Sequence, residues 1–243
     1  IDEEGVCSAC RFSYEKYHVI DWSERERQLE QLLDQHRRND GTWDVVVPGS
    51  GGKDSAYVAH QLKAKYGMHP LTITWAPFRY TDIGYQNYLN FVDSGFSNLL
   101  GYPNGHIHRK LTRLSFEEIG DAFIPFGYGQ QGYAFHIALQ FGIKLVFYGE
   151  NGEAEYGGET KNNYKSHMPL EDWAALYFKG TNVDELVEFG LKHKDYFTTD
   201  DFDPSDLTFY RPPSVEALEG NGIQMHWYSY YHRWVPQENY YYC

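Results

Sequence analysis

Along this chain, short apolar and β-branched runs alternate with stretches in which apolar residues recur at helical spacing. Trp43 to Val47 is the first such run, short, apolar and β-branched, and it predicts a strand buried on both faces of a parallel sheet. Upstream, the S-x-x-E pair Ser23 and Glu26 predicts a capping box that opens a charged helix to about Arg38, with Leu29, Leu32, Leu33 and His36 on one face. Asn39-Asp40-Gly41 ends it. A second helix is predicted from about Asp54 to Tyr66, carrying Val58, Ala59, Leu62 and Tyr66, with Gly67 as its stop and Pro70 beyond. Leu71 to Trp75 reads as the second strand. The pattern then predicts a helix from about Tyr85 to Leu100, a short strand at His106 to Arg109, and a helical region from Ser115 to Phe141 interrupted at Pro125, Gly127, Gly129 and Gly132. Lys144 to Tyr148 is the third strong strand. Beyond Glu159 the periodicity weakens into helical pieces, a Pro212-Pro213 link and a Tyr-rich end.

Strands alternating with helices imply βαβ units, and hence an α/β fold with a doubly wound parallel sheet. The expected organisation is a small Cys-x-x-Cys appendage over 1–20, a nucleotide-binding α/β domain over 21–160, and an irregular, helical substrate region over 161–243. At 243 residues, 42% hydrophobic and 23% charged, the chain can bury a core. Its formal net charge of -13 repels polyphosphate, which argues against nucleic acid as a partner. No apolar run approaches the roughly 18 residues of a membrane span. The opening Ile1-Asp2-Glu3-Glu4 is neither a signal peptide nor a methionine start, so a longer parent chain, cropped at both ends, is expected. Three cysteines, Cys7, Cys10 and Cys243, fit a reducing, cytoplasmic compartment better than a disulfide scaffold. The aromatic share of 18% is read first as core and interface filling, and second as stacking surface.

Chemistry concentrates after the first strand, in Gly49-Ser50-Gly51-Gly52-Lys53-Asp54-Ser55. Glycines let the backbone turn sharply and point successive N–H groups into one concavity, and the following helix N-terminus adds positive potential. A Walker-type loop is excluded: its first glycine would fall on Val47, and Asp54 stands where Ser or Thr should follow the lysine. The SGG-x-DS pattern resembles the PP-loop ATP pyrophosphatases, enzymes that cleave ATP between the α- and β-phosphates and adenylate an acceptor oxygen.

Four blocks in order extend the likeness: Asp2-Glu3-Glu4-Gly5-Val6-Cys7-x-x-Cys10, VPGSGGKDS at 47–55, YGENGEAEYGG at 148–158, and WVPQENYYY at 234–242. Together they resemble the N-acetyl sugar amidotransferases of bacterial surface-polysaccharide and nonulosonic-acid pathways, including O-antigen and lipopolysaccharide biosynthesis. The resemblance implies conversion of an acetamido group on a nucleotide-linked or related sugar to an acetamidino group, using ATP, Mg²⁺ and ammonia. It also implies a separate glutaminase subunit that supplies the ammonia, with a cyclase-like channel partner. The chain holds no cysteine between Cys10 and Cys243 to serve a triad-type glutaminase, and Ile1 occupies the position an N-terminal nucleophile would need.

Within this reading, Gly49, Ser50, Gly51, Gly52, Lys53, Asp54 and Ser55 hold ATP phosphates, and Thr74 and Trp75 are expected near the adenosine. Asp54 is a candidate for Mg²⁺ or the phosphate network, since magnesium prefers carboxylate and phosphate oxygens; Lys53 either meets phosphate as a point charge or faces solvent. Gly149, Glu150, Asn151, Glu153 and Glu155 lie past the third strong strand, where carboxylates bind Mg²⁺, orient ammonia, take its proton, or simply form an acidic surface loop. His106, His108 and Arg109 are weaker candidates near another expected strand end. Cys7 and Cys10 have metal-ligand spacing but cannot alone complete a tetrahedral site; the family's further cysteine pair upstream implies structural Zn²⁺ in the parent chain. Two other functions remain open on the residues: a PP-loop tRNA thiolase, and a nucleotide-binding module without catalysis.

Overall fold

The computed structural model describes residues 1–158, 160–170, 181–193, 196–201 and 203–243. Five strands form one parallel sheet: β1 Val45–Pro48, β2 Pro70–Trp75, β3 Ser97–Gly101, β4 Leu145–Tyr148 and β5 Gln224–Trp227. Their order is β3-β2-β1-β4-β5, every pair parallel. The expected doubly wound α/β fold is the one observed.

Alternate residues of the strands feed two cores. Val46, Leu71, Ile73, Val146 and Met225 face helices α5 Gly105–Ile119 and α6 Ile124–Phe141. Val45, Val47, Leu145 and Phe147 face α2 Trp22–His36 and α3 Lys53–His60. Burial on both faces is why residues 45–47 of β1 and 145–147 of β4 are apolar throughout, each buried side chain contributing about 1.5–3 kcal/mol of transfer free energy. The chain runs from β1 outward through β2 to β3, then crosses back to place β4 on β1's other side. A topological switch point therefore lies between β1 and β4, and a crevice opens at their carboxyl ends.

Several local expectations change. The α2 cap is Asp21, whose carboxylate accepts from the Ser23 and Glu24 N–H groups at 3.0 Å each, so the helix begins before the expected box. Helix α3 starts at Lys53 and continues through a wider π turn over Gln61–Lys65. The helix expected to Leu100 is α4, Asp82–Asp93, and the chain then forms the edge strand β3. His106 to Arg109 is not a strand but the first turn of α5, whose N-cap Asn104 accepts from His106 N–H at 3.1 Å.

The region expected to be broken between Ser115 and Phe141 is two helices. Gly120, at φ +83°, closes α5, and α6 is continuous because Pro125 falls in its first turn, where no N–H is needed. The glycines inside α6 permit close approach: a Cβ at Gly129 would stand 2.1 Å from the Trp75 indole. The region after Glu159 supplies helices and also β5, which the weak periodicity concealed. Among the described residues, no helix is long and apolar enough to cross a membrane.

Candidate functional site

The loop after β1 is fixed from below by the neighbouring strand. Gly49 N–H donates to the Ile73 carbonyl at 2.8 Å, and the Thr74 hydroxyl donates to the Gly49 carbonyl at 2.6 Å. Asn98 on β3 donates to Thr74 Oγ1 at 3.1 Å, and Tyr88 on α4 donates to Asn98 Oδ1 at 3.2 Å. Thr74 is buried, and its hydroxyl is committed to the loop backbone. Gly51 sits at φ +87°, where a Cβ would lie 2.6 Å from the Asn87 carbonyl oxygen of α4. At Gly49 a Cβ would meet Ser55 Cβ at 2.7 Å. Both glycines are demanded by backbone geometry and packing as well as by any ligand.

Gly52 caps α3 without a side chain, so the cap makes no side-chain hydrogen bond to the first-turn N–H groups, and among the described residues no other side chain accepts from them. They remain available to an anion, with the helix dipole behind them. Ser55 donates its hydroxyl to the Gly52 carbonyl at 3.2 Å. Lys53 Nζ contacts Asp54 Oδ2 at 2.5 Å, while the other carboxylate oxygen, Oδ1, is buried without a hydrogen-bond partner among the described residues.

Across the switch point, the loop after β4 closes on this end of the sheet. A Cβ at Gly149 would lie 3.7 Å from Asp54 Cβ and 3.1 Å from the Trp234 ring. Gly149 and Asn151 are tied to Ser229: its N–H donates to the Gly149 carbonyl at 3.0 Å, and its Oγ accepts from Asn151 N–H at 3.0 Å. Burial, reinforced by the nearby Asp54 carboxylate, holds the Glu150 carboxyl above the usual range. Asn151 is the N-cap of α7, Gly152–Tyr156, and accepts from Glu153 N–H at 3.1 Å.

The described residues around these loops line a cleft of about 1210 Å³. Gly49, Ser50, Gly52, Asp54, Ser55, Trp75, Gly149 and Glu150 of the expected site line it. Gly51, Lys53, Thr74, Asn151, Glu153 and Glu155 do not; Gly51, Thr74 and Asn151 fix the loops. Glu153 accepts from Asn162 Nδ2 at 3.3 Å, and Glu155 is buried against Lys16 of α1, Ser8–His18, at 2.6 Å. His106 is exposed. His108 is buried, with Nδ1 2.7 Å from the Tyr210 hydroxyl. Sequence reasoning missed the cleft wall formed by Phe78, Arg79 and Tyr80 after β2, and by Phe116 of α5, Phe123 at the α6 N-cap and Tyr133 of α6. The Pro77 turn directly after the second strand was the available signal for the first three.

The donor chemistry suits magnesium. Asp54 offers a buried carboxylate oxygen, unpartnered among the described residues, beside the glycine loop, the hard oxygen ligand that Mg²⁺ prefers. Zinc is a poorer match. Cys7 caps α1, accepting from Cys10 N–H at 3.4 Å, and no group of three or more His, Cys, Asp or Glu suited to a metal gathers among the described residues. Two thiolates alone leave a tetrahedral site half filled. Cys243, exposed, donates its thiol to the Lys53 carbonyl at 3.5 Å.

No family model matches the chain, and no curated protein matches it. Solved structures to which the chain is similar include two synthetases. The NMN synthetase of Francisella tularensis is 19% identical over 83% of this chain and 82% of its own, with a TM-score of 0.43. The NH3-dependent NAD synthetase of Campylobacter jejuni subsp. jejuni NCTC 11168, in complex with the nitrate ion, is 15% identical over 84% of this chain and 94% of its own, with a TM-score of 0.41. The fold assignment rests on this chain's own strand order and loop geometry.

Proposed function

We propose that this chain is an ATP-dependent amidotransferase that converts the acetamido group of a nucleotide-linked or related N-acetyl sugar to an acetamidino group, releasing AMP and pyrophosphate. The observation that carries the reading is the loop at Gly49–Ser55, with free first-turn N–H groups of α3 and an unpartnered Asp54 oxygen at the cleft. The four sequence blocks supply the acceptor class.

Chemistry explains why ATP is needed. An amide oxygen is a poor leaving group, so ammonia cannot displace it directly. In the proposed route the acetamido oxygen attacks the α-phosphorus, and the bond to the β-phosphate oxygen breaks, releasing pyrophosphate. Ammonia then adds to the activated carbon, loses a proton, and AMP departs with the former amide oxygen. The α3 N-terminus and loop amides would stabilise charge on the departing pyrophosphate. Asp54 would hold Mg²⁺, which supplies charge neutralisation on the phosphates. Glu150, half-buried and on the β4 side, would take the ammonia-derived proton. The enzyme would work in the cytoplasm with a separate ammonia-supplying glutaminase subunit.

The test is mass spectrometry of UDP-linked N-acetyl sugars after incubation with the protein, ATP, Mg²⁺ and ammonium. Replacement of one oxygen by one NH, with stoichiometric AMP and pyrophosphate, is the expected result. Pyrophosphate release without any change in a panel of such sugars would overturn the acceptor assignment and leave only the nucleotide chemistry.

A further inference from the structure

The cleft is larger than one nucleotide requires. Sites for a single drug-sized ligand hold about 300–1,000 Å³, and this one holds about 1210 Å³. The size fits ATP and a second substrate bound together. Its charge, however, suits neither: Asp54, Asp121 and Glu150 bring three carboxylates to the wall of a protein whose net charge is already -13. Against them, among the described residues that line the cleft, Arg79 is the one cationic side chain.

Arg79 is also uncommitted. It is exposed, and among the described residues it makes no hydrogen bond, ion pair or ring contact, although three carboxylates line the same cleft. Lys53, the nearest basic residue of the phosphate-facing loop, is engaged with Asp54 and does not line the cleft. The phosphates of ATP have their own partners in the α3 N-terminus and a magnesium ion. A second anionic substrate has only Arg79.

We propose that Arg79 is the anion anchor of the acceptor, binding the diphosphate of a nucleotide-linked sugar through its guanidinium fork. The proposal rests on the amidotransferase reading above. The chemistry matches: a planar guanidinium presents paired donors to phosphate oxygens, and an unpaired one needs no prior bond broken. Its neighbours are suited to the rest of such a ligand. Phe78 and Tyr80 flank Arg79 in sequence and line the cleft, offering aromatic faces for a base or sugar ring. From α6, Gln130 and Gln131 line the same cleft and offer amide groups to hydroxyls.

The test compares the wild-type protein with Arg79→Gln and Arg79→Lys by calorimetric titration with UDP-N-acetylglucosamine, UDP, N-acetylglucosamine and MgATP. Because Arg79 is exposed and unpartnered, neither substitution threatens the fold, and far-ultraviolet circular dichroism checks this. The expected result is a tenfold or greater loss of affinity of Arg79→Gln for UDP-N-acetylglucosamine and UDP alike, partial recovery in Arg79→Lys, and MgATP affinity within twofold of wild type. A parallel loss for MgATP would overturn the proposal by assigning Arg79 to ATP. Unchanged UDP binding, or wild type binding no UDP compound at all, would equally overturn it. In either of those cases, intact wild-type pyrophosphate release would show that the ATP reading survives, whereas its absence would bring down both.

Discussion

Lys16 Nζ lies 2.6 Å from Glu155 Oε2 and 3.0 Å from the Trp234 carbonyl oxygen, a buried ammonium that joins α1, α7 and the Trp234 segment at one point. Both side chains are under 10% exposed, at 9% and 6%. Burial nevertheless holds the Glu155 carboxyl above its usual range, so the lysine only partly offsets desolvation. Lys16→Met should lower stability by about 3–5 kcal/mol, because it strands a buried carboxylate. Lys16→Met combined with Glu155→Leu should recover most of that loss in urea unfolding. Equal midpoints for the single and double variants would contradict the buried-charge account.

Gly51 should tolerate no side chain. Gly51→Ala combines a φ of +87° with a Cβ 2.6 Å from the Asn87 carbonyl oxygen. A loss exceeding about 1 kcal/mol is expected from the backbone strain alone, together with loss of MgATP binding measured by calorimetry. Normal binding in a folded Gly51→Ala protein would mean that the loop does not cradle phosphate.

Asp54→Asn keeps the side chain's size while removing its charge. Pyrophosphate release should fall on the order of 10²-fold or more, in line with losing one preorganised electrostatic contact to the transition state, while thermal unfolding changes little. Retained turnover would remove Asp54 from the chemistry.

Stability should depend on pH through His108. Its ring is 1% exposed, and burial pushes its pKa down from 6.5 to about 4. The unfolded chain therefore binds this proton first, so native stability is full above pH 6.5 and falls as pH drops towards about 4. The loss approaches about 3 kcal/mol. His226, pushed down to about 3 by burial, adds a loss of the same sign that extends lower. His108→Gln preserves a polar partner for Tyr210 and should flatten the slope between pH 6.5 and 4 in urea titrations. An unchanged slope would show that His108 is not the neutral buried imidazole described.

Ammonium alone should support the reaction. The three cysteines lie at Cys7, Cys10 and Cys243, away from any internal nucleophile position, so glutamine without a partner should give no amidination. Equal rates with glutamine and ammonium in the purified protein would refute a separate ammonia source.

The central strands and their loop were legible because they obey strong local rules. Val45 to Val47 is buried on both faces and therefore apolar throughout, and the turn after it needs glycine. The edge strands were not. β3 is partly exposed along its length and reads Ser-Asn-Leu-Leu-Gly, without the long apolar run that marks a central strand. The alternating His106-Ile107-His108 imitated a strand, whereas Asn104 had already capped a helix. At the site, Asp54 and Glu150 could be anticipated from their places after β1 and β4. The pairing of Lys16 with Glu155 spans 139 residues, and the exposure of Arg79 to the cleft depends on walls from α5 and α6; neither relationship is encoded locally.

Ser229, following β5, holds the loop after β4 through Gly149 and Asn151, and it lies 78 residues beyond Asn151. As the chain emerges from the ribosome, the glycine loop after β1 and its supporting strands are therefore complete long before the opposite jaw can be locked. Such distant closure is slow relative to local helix formation. A nascent or truncated chain ending before Ser229 would carry the glycine-loop half of the crevice with the Glu150 side untethered. The jaw that carries Glu150 is thereby fixed against the loop after β1 only once β5 and Ser229 have been made, so the order of synthesis sets the order in which the crevice is assembled.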